Sequence, residues 1–495
     1  MIQHVRFCLR MKCRVSMVAL VAVAVAATNG GDFWSNWDTR QVCHPRVHVS
    51  PSTATGLQRA VQAASHVRVA GAGHSFSPIV LTEHTLVTLD KYTDVVAFDA
   101  DTITVQAGRP LYAVNDYLAA HGRALPNLGA VAIQTAAGVT QTGTHGTGNT
   151  GCLSDNIIGM DLVVANGTLV NLGPGHDLFD AARVGMGVLG AVSTLTFRHV
   201  PLWTMEQITF TLPLATFQLH RAALLATFER TQWYLSGLPA NTAVTVVLRV
   251  NTTMPITSGC WGNVFTTVPA TPAPFNWTNW PDDTKACVDH SYKVLGRDGK
   301  NNTNLFTEME MMLPVDSDAA ALADMLTLHA NLAPRHDPNV PLFLGFRYVE
   351  PDNLWLSPFY QRRTVVVSTI VYHHGEYEGE IDRYHRHMQA VLTKYKARPH
   401  TGKANYFTAT DMAAVYPKFH EFVALQRAVD PHGKFLNKYM RRLLVLPTSA
   451  TTLTTTMSTW SYEVGYVAMA AGGCMVLLVG GATRQAAASR GYQRL

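Results

Sequence analysis

The chain has 495 residues, a formal net charge of +5 and 47% apolar residues, which is enough for two domains with their own cores. That apolar content excludes a disordered polypeptide. The basic residues form no block or aromatic-interleaved stripe of the kind that marks a nucleic-acid surface, so no nucleic-acid partner is expected.

Arg6, Arg10, Lys12 and Arg14 precede an apolar run from Val15 to Ala27 that contains Ala24-Val25-Ala26. This is the layout of a cleavable secretory signal over residues 1–27, with a short N-terminal anchor as the alternative, and both deliver the rest of the chain to a lumen. From about Val47 to Val200, β-branched runs alternate with Gly, Asn and Asp turns. His66 to Val69, Thr85 to Leu89, Thr102 to Gln106, Gly159 to Val164 and Val192 to Val200 are predicted strands, while Leu57 to Ala64 and Leu111 to His121 have helical spacing. The regular βαβ rhythm of a dinucleotide fold is missing, so residues 35–200 are expected to form one α+β domain.

A second α+β region is expected over residues 205–445. Its strands fall near Thr242 to Val250, Thr307 to Leu313, Leu342 to Tyr348 and Thr364 to Val371, and its helices at Ala319 to Asn331, Gly379 to Lys394 and Asp411 to Val429. Residues 446–461 are rich in Thr and Ser and read as a flexible stalk. The uncharged run at residues 464–482 is long enough, at ~1.5 Å per residue, to cross a ~30 Å hydrocarbon layer. Glu463 before it and Arg484, Arg490 and Arg494 after it put the tail, residues 483–495, in the cytosol. The expectation is a single-pass type I protein of the secretory system or cell surface, with its main domain lumenal or extracellular. A GPI signal shares the small residues and apolar tail, but the arginines beyond Ala482 argue against it. The terminal Tyr492-Gln493-Arg494-Leu495 resembles a signal read by sorting adaptors.

Cys43, Cys152, Cys260 and Cys287 would lie in an oxidising lumen and allow three pairings, of which Cys260 with Cys287 is preferred because the two flank one Pro- and Trp-rich excursion. Sequons at Asn166, Asn251, Asn276 and Asn301 agree with that topology. His373, His374, Glu376, Glu378, Glu380, His385 and His387 invite a metal reading. His385 and His387 are two apart on a predicted helix and point to different faces, so a solvated helix start is preferred and no metal is expected.

Two glycine-rich tracts carry the chemistry. Gly71-Ala72-Gly73-His74-Ser75 follows a predicted strand, where bare backbone N–H groups can approach a pyrophosphate. Gln141 to Gly148 holds Thr142, Gly143, Thr144, His145, Gly146 and Gly148, again suited to close approach of an extended cofactor. Gly185, Gly187 and Gly190 match Gly-x-Gly-x-x-Gly, but a helix-like Leu178 to Arg183 precedes them and a strand follows, the reverse of the dinucleotide fingerprint. They are read as close packing beside the cofactor.

Taken in order, these pieces resemble the aldonolactone oxidases, meaning the gulonolactone and arabinonolactone oxidases with their alditol oxidase relatives, in the vanillyl-alcohol-oxidase superfamily. The matching run is Gly73-His74-Ser75, Asn127-Leu128-Gly129, Thr142 to Gly148, Gly185 to Gly190, Arg347, Leu356-Ser357-Pro358, Arg398 to Lys403 and Asp430 to Asn437. The resemblance implies a two-domain α+β fold of the PCMH-type FAD-binding kind, with FAD between the halves and joined covalently through His74. It implies cofactor contacts at Gly71, Ala72, Gly73, Ser75, Gly129, Thr142, Gly143, Thr144, His145, Gly146, Gly148 and Val192, and catalytic roles for Arg347, His400 and Lys403. Arg347 and Lys403 would hold an aldono-1,4-lactone or a polyol, the flavin would accept hydride, and O2 would reoxidise it to give hydrogen peroxide. A small residue at Gly129 would admit O2.

Two positions depart from the family. Gly345 stands where relatives have a substrate-contacting glutamate, with Glu310 and Glu350 as possible but more structural replacements, and Thr401 stands where relatives usually have Trp. An alditol or oligosaccharide oxidase, or a flavin-binding membrane scaffold without useful catalysis, are the alternative functions.

Overall fold

The run Thr102 to Gln106 buries Ile103 and Val105 and leaves Thr102, Thr104 and Gln106 half-exposed, a two-residue period that an extended strand presents. The same alternation recurs along the chain and, in the computed structural model, builds three principal sheets. The structure describes residues 33–447 apart from 149, 237–242, 258–259, 261–280, 282–283, 298–304, 333–341 and 373–377. The expected signal, most of the stalk, the apolar run at 464–482, the tail with Tyr492, the sequons at Asn276 and Asn301, and His373, His374 and Glu376 lie outside these residues. Among the described residues, no helix is long and apolar enough to cross a membrane.

In the first half, β1 (Val47–Val49), β2 (Val67–Ala70) and β3 (Thr85–Thr88) form a parallel sheet in the order β1-β3-β2. β4 (Val95–Phe98), β5 (Thr102–Gln106), β6 (Ile157–Val163), β7 (Leu169–Leu172) and β8 (Ala191–Arg198) form an antiparallel sheet in the order β7-β6-β8-β5-β4. In the second half, β9 (Thr204–Pro213), β10 (Arg230–Ser236), β11 (Ala243–Thr252), β12 (Lys285–His290), β13 (Phe306–Pro314), β14 (Leu342–Val349), β15 (Thr364–Tyr372) and β16 (Arg398–Pro399) form one sheet in the order β12-β9-β11-β10-β14-β15-β13-β16.

Alternation gives this large sheet two different faces. On one, Trp233 of β10 stacks on Phe346 of β14 at 3.7 Å and meets Phe217 of the helix Leu214–Thr227 at 4.7 Å. Met309 and Met311 share that core with Leu322 and Met325 of the helix Asp318–Leu332 and with Met388 of the helix Glu378–Leu392. On the other face, Tyr234, Gly345, Arg347, Ser368, Glu308 and Glu310 look into a cavity shared with the first half. Strand periodicity thus sends the aromatic and thioether residues to the helices and the polar ones to the site.

The second half does not end where it began. After β16 the chain returns to the first half: Lys434 O accepts from Val67 N at 2.9 Å, and Asn437 donates to Pro78, Ile79 and Leu81 carbonyls at 2.9–3.3 Å. The expected single helix from Asp411 to Val429 is two helices, Ala409–Val415 and Phe419–Val429. Pro417 lacks the N–H that would continue the first, and Thr408 with Asp411 makes a capping box at its start.

Cys260 and Cys287 form the expected disulfide, while Cys43 and Cys152 are free and buried. Asn166 and Asn251 are exposed. No group of three or more His, Cys, Asp or Glu among the described residues can hold a metal ion. The solvated helix start needs one correction. His387 is exposed, but His385 is fully buried, and burial pushes its pKa down to about 4, so it stays neutral.

Candidate active site

β2 ends at Ala70, and the chain turns through Gly71 to Ser75 at the edge of the cavity. Gly73 has φ +68°, a left-handed conformation that a side chain would disfavour. Within the described residues the N–H groups of Ala72, Gly73, His74 and Ser75 donate to no protein acceptor, and such a run is an anion-binding nest. Gly71 is required for a second reason: a Cβ there would lie 2.1 Å from Thr135 Oγ1, the oxygen that caps the helix Ala136–Gln141 through Gly138 N.

His74 lies beside this nest. Its Nδ1 is 2.9 Å from Ala72 O and its ring stacks on Trp37 at 5.7 Å and 17°. A proton donated to that carbonyl leaves a lone pair on the other ring nitrogen. Burial pulls the His74 pKa below the usual histidine range, against the Ala72 bond and with help from the charge of Lys403, so a neutral imidazole faces the cavity.

The second glycine tract has a divided role. Gly129, Thr142, Thr144 and His145 line the cavity together with Gly71, Ala72, Gly73, His74, Ser75 and Val192. Gly143, Gly146 and Gly148 do not. A Cβ would meet Pro358 Cδ at 3.3 Å from position 143, Asn127 Oδ1 at 2.4 Å from position 146 and Arg230 Nη1 at 2.4 Å from position 148. These three glycines let the first half pack closely, and at 148 they meet the large sheet, where Thr147 Oγ1 donates to Tyr348 O at 3.0 Å or Thr231 O at 3.2 Å. Gly187 and Gly190 line the cavity between the helix Phe179–Ala182 and β8, as expected of packing beside a cofactor. Arg68 fastens their loop. It is fully buried and donates to the carbonyls of Ile79, Met186, Gly187 and Phe435 at 2.6–3.2 Å.

The three expected catalytic residues, Arg347, His400 and Lys403, reach the same cavity. Arg347 is half-buried. Desolvation alone would weaken its charge, but Tyr234, Glu310 and Glu308 outweigh burial and raise its pKa, so it remains a cation. Lys403 bonds Glu308 Oε2 and lies 4.8 Å from the Phe76 ring centroid. His400 is different. Burial pushes its pKa down to about 3, with Glu310 opposing, and its Nδ1 accepts from Gly402 N at 3.1 Å while its carbonyl accepts from Lys403 N at 2.9 Å. A neutral ring so bound shapes the turn that delivers Lys403. Thr401 is buried, and its carbonyl accepts from Ser77 Oγ at 2.7 Å and Tyr439 Oη at 2.8 Å, so the Trp-to-Thr departure does not form the cavity wall.

Gly345 pairs with Tyr234 on one side and with Ser368 on the other, and Ser368 pairs in turn with Glu310. The four form one row across β10, β14, β15 and β13. Tyr234 occupies the space beside Gly345, its ring 3.2 Å from where a Cβ would be. Two strands away, roughly 10 Å at the usual strand spacing, stand the carboxylates Glu308 and Glu310. Glu350 is instead bound to Arg363 at 2.8 Å, away from the cavity. Sequence reading passed over Glu308, Ser368, Tyr234, Gln232, Trp37, Phe306 and Tyr372, all of which line the site. The signal for the glutamates was available: alternate polar residues in Phe306–Pro314, whose other face is Met309 and Met311.

The residues fit an extended flavin nucleotide. The cavity is continuous from the turn at Gly71 to Ser75, past Gly187 and Val192, to Arg347 and Lys403 on the large sheet's side. It has an unpaired N–H nest at one side and cations at the other. Fold and cavity together define a two-domain flavoprotein of the PCMH-type FAD-binding α+β class.

A family model described as FAD binding domain matches residues 45–173, and one described as D-arabinono-1,4-lactone oxidase matches residues 228–443. The L-gulono-1,4-lactone dehydrogenase of Mycobacterium tuberculosis is 30% identical over 445 residues, covering 83% of this chain and 99% of that protein. The L-gulonolactone oxidase of Bos taurus is 28% identical over 446 residues, covering 83% and 98%. A cholesterol oxidase structure from Brevibacterium sterolicum superposes with a TM-score of 0.67 at 14% identity, covering 83% of this chain and 96% of that one, a likeness of fold alone. The chain belongs to the aldonolactone oxidase family of FAD-dependent oxidoreductases, which act on alcohol and lactone substrates, and FAD is its cofactor.

Proposed function

We propose that the protein oxidises a carbinol of an aldono-1,4-lactone to an ascorbate-type product, using FAD held covalently by His74 and O2 as the acceptor that leaves as hydrogen peroxide. The observation that carries this reading is the convergence of Arg347 and Lys403, two cations from β14 and the turn after β16, on the cavity face that carries Glu308 and Glu310. Bound FAD supplies the acceptor for a hydride from the carbinol carbon. Arg347 would hold a substrate oxygen in a fixed planar fork. Lys403 would place a positive charge where negative charge develops. The nest at Ala72 to Ser75 would bind pyrophosphate, and the large sheet would exclude water from the reacting carbon.

Gly129 supports O2 as the acceptor. It is a small residue lining the cavity, and a Cβ there would meet Thr144 Cγ2 at 2.8 Å, so a bulkier residue fits only if Thr144 gives way. The second reading, a polyol or oligosaccharide as substrate, is favoured by the missing side chain at Gly345 and by Tyr234 beside it. Both readings meet one test, in which purified protein is mixed with a panel of aldonolactones and polyols, without air and then with it. A lactone is expected to bleach the flavin fastest, with about one peroxide formed per lactone in air. Faster bleaching by polyols would transfer the assignment to the second reading, bleaching without peroxide would remove O2 as the acceptor, and no bleaching by any member would leave a scaffold.

A further inference from the structure

Two buried carboxylates on one strand need a reason, because each charge removed from water is expensive unless paired. Glu308 and Glu310 are 6% and 3% exposed and project from β13 on the same face. Ser368 Oγ bridges them, bonded to Glu308 Oε1 and 3.1 Å from Glu310 Oε1. Lys403 takes the other oxygen of Glu308, while Glu310 Oε2 lies 3.6 Å from His145 Nε2. The cations near the pair are Lys403 and Arg347; His400 is neutral.

Two carboxylates so close share protons unequally. Burial would raise Glu310, but Lys403 and the nearby His145 outweigh it and hold Glu310 well below the usual range, leaving a weak base. Burial raises Glu308, with Lys403 opposing and the charge of Glu310 adding, which makes Glu308 the stronger base of the two. Each bonded oxygen of Glu308 keeps a second lone pair. Gly345 offers no carboxylate, and Tyr234 takes its space.

Resting on the function proposed above, we propose that Glu308 is the catalytic base: its carboxylate takes the proton of the substrate hydroxyl while the carbinol carbon gives up its hydride. In this step the O–H and C–H bonds break and a C=O bond forms. The proton goes to a Glu308 oxygen and the C–H electron pair leaves with the hydride to FAD. Ser368 is a positioning residue that fixes the carboxylate, and Lys403 orients it as well as facing the reacting centre. The carboxylate beside the substrate thus stands on β13, whereas the resemblance puts a substrate-contacting glutamate on β14, at the position of Gly345.

The test compares wild type with Glu308→Gln and Glu308→Asp as FAD-loaded proteins. E308Q is expected to slow anaerobic flavin reduction about 10²-fold, within the usual range for a general base, with KM within about threefold and FAD content unchanged. In wild type, kcat/KM falls as pH drops through the Glu308 ionisation, because only the carboxylate accepts a proton. That limb should vanish in E308Q and return in E308D at a different pH, because the carboxylate has moved and changed type, with part of the rate. A protonated-carboxyl infrared band of the substrate-free protein, gained as pH falls, should likewise vanish in E308Q. Flavin reduction within threefold of wild type, or a retained acid limb, would overturn the proposal; if E308Q does not fold, E308D with an unmoved limb and band would do so. Wild-type flavin that no lactone or polyol reduces overturns the proposed function instead, and the infrared band still decides on Glu308.

Discussion

Lys403→Met is expected to lower the rate of flavin reduction by about 10³-fold, the upper range for loss of one preorganised charge at a reacting centre. Lys403 reaches the cavity from the turn after β16, held by its own N–H to His400 O at 2.9 Å. Methionine preserves length and packing on Phe76 but removes the charge. Glu308 then keeps Ser368 and the more distant charge of Arg347, and a buried carboxylate without its bonded cation destabilises the fold by roughly 3 kcal/mol, the low end for a broken buried pair because Lys403 is partly exposed. The double variant with Glu308→Gln is expected to regain most of that stability and none of the rate. Stopped-flow reduction and thermal melting of the three variants check this, and a K403M protein that reduces its flavin at more than a tenth of the wild-type rate would remove Lys403 from the chemistry.

Gly71→Ala is expected to lower FAD content at least tenfold, a larger effect than one methyl group in a surface turn usually has. The new Cβ would stand 2.1 Å from Thr135 Oγ1. Thr135 is β-branched and stiff at χ1, and rotating its oxygen away gives up the cap on the helix Ala136–Gln141, a loss of about 1 kcal/mol. If the turn moves instead, the N–H groups of Ala72 to Ser75 lose their common aim. Flavin absorbance per protein after purification, with and without added FAD, reads the result. FAD content near that of wild type would show that the turn tolerates the shift and does not form the nest.

What the sequence made legible follows from which signals are local. The nest could be read because glycines after a β-branched run have one main use, and the strands from Thr307 to Leu313 and from Thr364 to Val371 fall within one residue of their observed ends because the first alternates Glu with Met and the second is a β-branched run. The disulfide was legible from its flanking excursion. Glu308 was not, because its importance depends on Ser368 and Lys403, which lie 60 and 95 residues away, and on β15 lying between β14 and β13. Gly146 and Gly148 were read as cofactor glycines because spacing cannot say which side of a turn a neighbouring chain will approach from. β10 carries no such signal for a related reason: Arg230 to Ser236 is buried at all but its last residue, so its sequence shows no alternation.

FAD is the cofactor, and its proposed bond to His74 is open to one direct measurement. Acid precipitation of the purified wild-type protein, washing, and measurement of flavin absorbance in pellet and supernatant test it directly, beside His74→Ala treated in the same way. Wild-type pellets should be yellow and H74A pellets colourless, with any flavin of H74A in the supernatant. Flavin that stays in the H74A pellet, or that leaves the wild-type pellet completely, would contradict the bond.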